Sequence, residues 1–325
     1  MGQIDIAAKA LVSHPEVFAD IFNRRIHGGA QVIRPEDLRP LDSHLLFTDE
    51  KGRAAGLERI RDLARLLVAR TDGRKVMAIL GVENQSVASR RMVVRVMLYD
   101  ALQYEAQFRF RQAESGSGSQ ERENRHPPNG QAIVNGARDG NRIVPVLTEV
   151  VFYGPGPWEG PLTLRELMPD APPELLRLVP DFRLRITQPA GMTDEELASF
   201  RSDFGPVMGC LRDSGDKEAL TRLVHGDSRF RHLHPDAARV IEACTNLRLD
   251  RAAHDAGKGT VDMCKAIDDL VAESTAKGRE EGRASERLES CRRFLNQTSL
   301  GLEQIASCLN LPLETVQRLA DEMGR

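Results

Sequence analysis

The chain is poor in aromatic residues, which make up 5% of its 325 residues, with one tryptophan and three tyrosines. That disfavours a base-stacking platform for single-stranded nucleic acid. Its five cysteines, Cys210, Cys244, Cys264, Cys291 and Cys308, are odd in number, and no two fall at C-x-x-C spacing. Neither a zinc motif nor a disulfide framework can be read from them, so reduced thiols are expected. No apolar run approaches the length needed to cross a membrane. The first residues, Met1-Gly2-Gln3-Ile4-Asp5, hold no apolar stretch of the secretory kind, and the expected location is the cytoplasm. A dominant charge is also missing: the formal net charge is −3, so nucleic-acid binding would have to come from local basic patches. The length allows one large domain with an appendage.

What the chain does have is an unbroken apolar run, Val76-Met77-Ala78-Ile79-Leu80-Gly81-Val82, closing on Glu83-Asn84-Gln85. Such a run predicts a strand buried on both faces. The period of two then puts Glu83 and Gln85 on one face, aimed at the same space. A carboxylate at the end of a core strand is costly unless it is paired, hydrogen-bonded or ligated to a metal. The same triplet also reads as a strand simply leaving the core for solvent, and both readings stand at this level.

Upstream, Ser13-His14-Pro15-Glu16 has the form of a capping box, with Ser13 as N-cap. Val17, Phe18, Ile21 and Phe22 follow on one helical face. Asp20 beside them is a solvated charge or a site residue, and Gly28-Gly29 ends the helix. Residues 57–70 are ambiguous. Leu57, Ile60, Leu63, Ala64 and Leu67 make an amphipathic helix with Asp62 on its wet side. Read as a strand, Ile60, Asp62, Ala64, Leu66 and Val68 share a face opposite Arg59, Arg61 and Arg65, and Thr71-Asp72-Gly73 turns the chain into the next strand.

Downstream, a long helix is predicted through Met92, Val96, Leu98, Leu102 and Tyr104. Arg91 and Arg95, one turn apart near its start, are candidates for phosphate contact or a solvated face. Residues 112–141 read as a mobile surface loop. Ile143 to Tyr153 and Phe182 to Thr187 are further strands, and Thr193 caps a helix from Asp194. His225, His232 and His234 show no ligand spacing and read as surface residues. Lys277 to Arg283 lies in a charged, glycine-spaced, partly helical linker. Leu302, Ile305, Ala306, Leu309, Leu311, Val316 and Leu319 then fit two short helices around Asn310-Leu311-Pro312, a helix-turn-helix-like unit.

Several blocks occur in a characteristic order: Phe18 to Asn23, Pro35 to Leu38, Arg61-Asp62-Leu63, Ile79 to Ser86, Met97 to Ala101 and Val151 to Gly154, followed by the charged linker and helical pair. Together they resemble the recombination-promoting nuclease and transposase-like family of bacteria, a branch of the PD-(D/E)XK nuclease superfamily. The resemblance implies an α/β fold, a restriction-endonuclease-like core whose mixed sheet is flanked by helices, with a helical C-terminal extension. It resolves residues 57–70 as strand, because the superfamily carries an acid on one hairpin strand and E-x-K, here E-x-Q, on its partner.

By that resemblance Asp62 and Glu83 hold Mg²⁺ or Mn²⁺, the Asn84 carbonyl adds an oxygen ligand, and Gln85 stands where lysine is usual. Asp20, or alternatively Asp5, is the extra acid of the first helix. The implied activity is metal-dependent DNA endonuclease cleavage, with DNA as partner and self-association left open. The alternative is a catalytically degenerate nuclease fold that binds DNA or protein. The expected layout is a core over 1–190, a helical extension over 191–272, the linker over 273–288 and the small helical tail over 289–325.

Overall fold

A computed structural model describes residues 2–41, 44–48, 54–60, 62–71, 74–115, 143–245, 254–255 and 259–324. The predicted Asp72-Gly73 turn lies outside these residues, as does nearly all of the predicted 112–141 loop. The chain forms two compact units, Met1–Met263 and Cys264–Arg325.

The first unit is α/β. It opens with α1 (Gln3–Val12) and α2 (Pro15–His27), then β1 (Leu38–Pro40), a separate two-stranded ribbon of β2 (His44–Thr48) and β3 (Ala54–Ile60), and the hairpin β4 (Leu63–Thr71) and β5 (Arg74–Gln85). Helix α3 (Met92–Ser115) crosses to β6 (Val146–Phe152), and β7 (Ile186–Thr187) ends the main sheet. The sheet runs β1-β4-β5-β6-β7, antiparallel from β1 to β5 and parallel from β5 to β7. Residues 57–60 and 63–70 are therefore strand, and the antiparallel register Leu63↔Val82 through Thr71↔Arg74 decides what periodicity left open.

Register also assigns the faces. Leu66 pairs with Ile79, Thr148 with Gly81 and Val150 with Glu83. This face meets α3: Leu66, Ile79 and Val146 pack with Tyr104, Met92, Val93 and Val96 pack with Val150, and Thr148 donates to Asp100. The opposite face carries Arg65 paired with Leu80, and Glu149 paired with Val82. This face meets α2. The Arg65 guanidinium lies over the Phe18 ring at 5.4 Å and donates to the Ser13 carbonyl at 2.5 Å. Glu149, fully buried, takes Arg25 through two hydrogen bonds at 2.8 and 2.5 Å and Thr187 through a third at 2.7 Å.

Two expectations are corrected. The strand reading of residues 57–70 put Arg65 opposite the core face, yet α2 covers it, and it is buried beside an aromatic ring. Ser13 is not the N-cap of α2. Pro15 occupies the first helical position, where its fixed φ suits the helix, so His14 becomes the cap, while the Ser13 hydroxyl donates back to Lys9 at the end of α1. The first compact unit continues past residue 190: the Pro235–Thr245 helix packs on α1, and Ser202 bonds to Asp20 of α2. Residues 273–288, read as a partly helical linker, lie within one continuous helix, Met263–Gln297, whose charged exposed residues include good helix formers.

Other readings agree with the structure. Gly28 ends α2 at φ 64°, and Thr193 caps the Asp194–Ser199 helix in a reciprocal pair with Glu196. Glu289 and Arg293 form an i,i+4 ion pair at 2.6 Å. In the second unit, Leu302–Leu309 and Leu313–Glu322 turn at Asn310, in the left-handed region at φ 51°. Both bury Ile305, Ala306, Val316, Leu319 and Ala320 against Cys291 and Leu295 of the long helix.

Phe18 is fully buried, stacks at 5.0 Å on Phe22 and carries Arg65. Phe18→Ala should therefore cost about 3–5 kcal/mol, read as a lowered urea midpoint of the first unit by circular dichroism.

Candidate functional site

Asp62 occupies a bend immediately before β4, and the register that pairs Leu63 with Val82 sets it opposite Glu83. Both lie on the α3 face of the sheet by strand alternation. Each carboxylate accepts a backbone N–H from across the hairpin. The Asp62 N–H donates to Glu83 Oε1 at 3.2 Å, and the Asn84 N–H donates to Asp62 Oδ2 at 2.9 Å. Each carboxylate thus caps the opposing strand where the ladder ends. Glu83 is only 2% exposed, whereas Asp62 is half-buried and borders solvent.

Arg95, in the first turn of α3, brings Nε to 4.0 Å from Glu83 Oε2. That Nε is buried and has no hydrogen-bond acceptor among the described residues, although the side chain as a whole is 40% exposed. Arg91 is exposed one turn earlier, its carbonyl accepting the Arg95 N–H at 2.9 Å. The structure therefore brings Arg95 to the carboxylate pair and leaves Arg91 on the surface beside it.

Gln85 turns its amide back to the Asn84 carbonyl, donating at 2.7 Å. A carbonyl oxygen has two lone pairs, so this bond leaves one for a second partner. The Asn84 side chain points to the other face, where Oδ1 accepts from the Tyr153 hydroxyl at 3.2 Å. Burial, and then the charges of Cys244 and Asp62, raise the Tyr153 phenol well above its ordinary range, which keeps it a donor. Asn84 Nδ2 is buried without an acceptor among the described residues.

The proposed extra acids sit elsewhere. Asp20, 2% exposed, is on α2 and therefore on the opposite face of the sheet. Its Oδ1 accepts from Gln31 at 3.0 Å, and its Oδ2 accepts from the Ser202 N–H and hydroxyl at 2.6 and 2.7 Å. Asp5 lies nearer the strand exit, accepting from the Ser86 hydroxyl at 3.1 Å and the Gly2 N–H at 3.2 Å. These bonds tie Asp20 to Gln31 and Ser202, and Asp5 to Ser86 and Gly2. The set that can hold a cation is thus the Asp62 and Glu83 carboxylates with the Asn84 carbonyl, all hard oxygens that suit Mg²⁺ or Mn²⁺.

The histidines His225, His232 and His234 are exposed, as read from the sequence. His234, however, meets His14 and Asp236. Spacing could not have shown this, because His14 and Asp236 are 222 residues apart.

Asp20→Ala removes the acceptor of three donors in a buried setting, so it should lower stability by about 1–3 kcal/mol. Urea unfolding reads that loss, and a parallel Mn²⁺ titration should show divalent affinity unchanged.

Comparison with protein-family models, curated proteins and solved structures finds no match to this chain. Its candidate site is the Asp62–Glu83 edge with Arg95 beside it.

Proposed function

We propose that this chain is a metal-dependent DNA endonuclease of the recombination-promoting type, built on a restriction-endonuclease-like core. The observation that carries the reading is the pair of facing carboxylates, Asp62 and Glu83, at the open end of an antiparallel hairpin and within reach of Arg95. Support also comes from the order of elements: hairpin β4–β5, crossover helix α3, then parallel β6.

Phosphodiester hydrolysis needs a nucleophilic water, a counter to charge growing on the phosphoryl oxygens, and a stabilised leaving alkoxide. Mg²⁺ or Mn²⁺, when bound, supplies a Lewis acid and lowers the pKa of a bound water. Asp62, Glu83 and the Asn84 carbonyl hold the ion. Gln85 orients water through hydrogen bonds alone, since an amide carries neither a lysine's charge nor its basicity. The unsatisfied Nε of Arg95 takes a phosphate oxygen in a charge-assisted bond, and exposed Arg91 extends that contact one turn outward.

A second reading, a catalytically silent nuclease fold that binds DNA or protein, is favoured by one observation. Gln85 spends its amide on the Asn84 carbonyl rather than facing the carboxylates.

Supercoiled plasmid separates the two. With Mg²⁺ the wild type should nick it, and chelation should stop the reaction. Asp62→Asn and Glu83→Gln should each lower the rate by roughly 10²-fold or more while leaving circular dichroism unchanged. Arg95→Ala should raise KM more than Arg91→Ala does. Equal nicking by wild type and both carboxylate variants would sink the proposed site. DNA retardation without cleavage, lost on removing residues 289–325, would establish the second reading.

A further inference from the structure

His14 meets His234 and Asp236 in the first unit, 222 residues from Asp236 in sequence. His14 Nε2 lies 2.8 Å from Asp236 Oδ2, and His234 Nδ1 lies 3.6 Å from the same oxygen. The two rings stand edge to face with centroids 4.4 Å apart, and one ligand atom from each of the three residues falls within 4.8 Å of the others. A tetrahedral Zn²⁺ with bonds of about 2.0–2.1 Å holds its ligand atoms about 3.3 Å apart. The two observed separations flank that value.

The proton positions sharpen the point. His234 Nδ1 accepts the Asp236 N–H at 3.1 Å, so it presents a lone pair, and no proton, on that side. It therefore faces Asp236 Oδ2 as acceptor against acceptor. His14 alone satisfies that oxygen as a donor. A plain histidine–aspartate pair needs one imidazole, whereas a second ring offering its lone pair to the same oxygen is a contact that a cation turns from repulsive to favourable.

The ligands are also held from behind, as metal ligands require. His14 caps α2 ahead of Pro15, and the preceding Ser13 carbonyl is tied to Arg65. Asp236 Oδ1 is held by Arg239 at 3.1 Å, and the His234 N–H donates to Asp203 at 2.7 Å. With side-chain exposures of 30% for His14 and 50% for His234, a fourth position stays open to water.

We propose that His14, His234 and Asp236 form a binding site for a borderline divalent transition metal of the Zn²⁺ class. Two imidazoles and one carboxylate select such an ion over Mg²⁺, which prefers oxygen donors. Coordination replaces the His14–Asp236 hydrogen bond, the ring's single proton passing through solvent from Nε2 to Nδ1 so that the ligand is neutral imidazole, and exchanges the Asp236 N–H bond at His234 Nδ1 for a metal bond. The ion joins the α1–α2 turn to the start of the Pro235–Thr245 helix.

Co²⁺ titrated into chelator-treated full-length protein tests this. The expected result is one Co²⁺ per chain with visible ligand-field bands of tetrahedral strength, displaced by added Zn²⁺, and a raised Tm. His14→Gln and His234→Gln should each lose the bands while keeping wild-type circular dichroism. The Asp62→Asn, Glu83→Gln double variant should retain them. Absent bands in the wild type, or bands unchanged in both histidine variants, would overturn the proposal. So would near-ultraviolet sulfur-to-cobalt charge transfer, which would place the ion on a cysteine.

Discussion

Strand β5 lies inside the sheet, between β4 and β6, and helices cover it from both sides. That two-sided burial dictates where charge can sit. Inside the sheet a charge survives only with a partner brought across from a helix, because an isolated buried charge loses far more hydration than it recovers. Arg65 has Phe18 and the Ser13 carbonyl, and Glu149 has Arg25 and Thr187. Asp20 follows the same rule from the helix side, with Gln31 and Ser202. Asp62 and Glu83 are different. They sit where the ladder stops, and their bonds go to each other's strand backbone, so the carboxylates remain together at an edge that solvent reaches through Asp62.

This distinction explains what could be read from the sequence. An apolar run uninterrupted from Val76 to Val82 has little choice but a doubly covered strand, so β5 and its polar end were legible. Residues 57–70 were not, because Leu57, Ile60, Leu63, Ala64 and Leu67 satisfy a helical period while Ala64, Leu66 and Val68 satisfy a strand period. Only pairing, of residues 57–60 with β2 and of 63–71 with β5, removes the ambiguity. Arg65 misled for a related reason. Alternation correctly put it on the face away from Leu66, but nothing local announces that α2 closes that face. Asp20 looked like an available acid because its partner Ser202 is 182 residues away. Local pattern reports which side chains share a face and leaves open what will cover it.

At the carboxylate edge the charge balance follows from Gln85. Lysine there would set a second cation beside Glu83, alongside Arg95. Glutamine leaves Arg95 as the cation recorded at 4.0 Å from Glu83, against two carboxylates. A site of that composition keeps net negative charge, which favours a divalent ion over an isolated proton shared between like charges. It also makes the arginine's position matter more. Its Nε is already desolvated, with no hydrogen-bond acceptor among the described residues.

Helix α1 ties this edge to the rest of the unit. Its first turn carries Asp5, bonded to Ser86 just past the strand exit, and its far end leads through Ser13 to His14. Ten residues of helix span about 15 Å, so the two ends of one rigid rod meet two different polar clusters: hard oxygens by the strand exit, imidazoles with a carboxylate at the other end. Because the donor types differ, the two clusters do not compete for one ion.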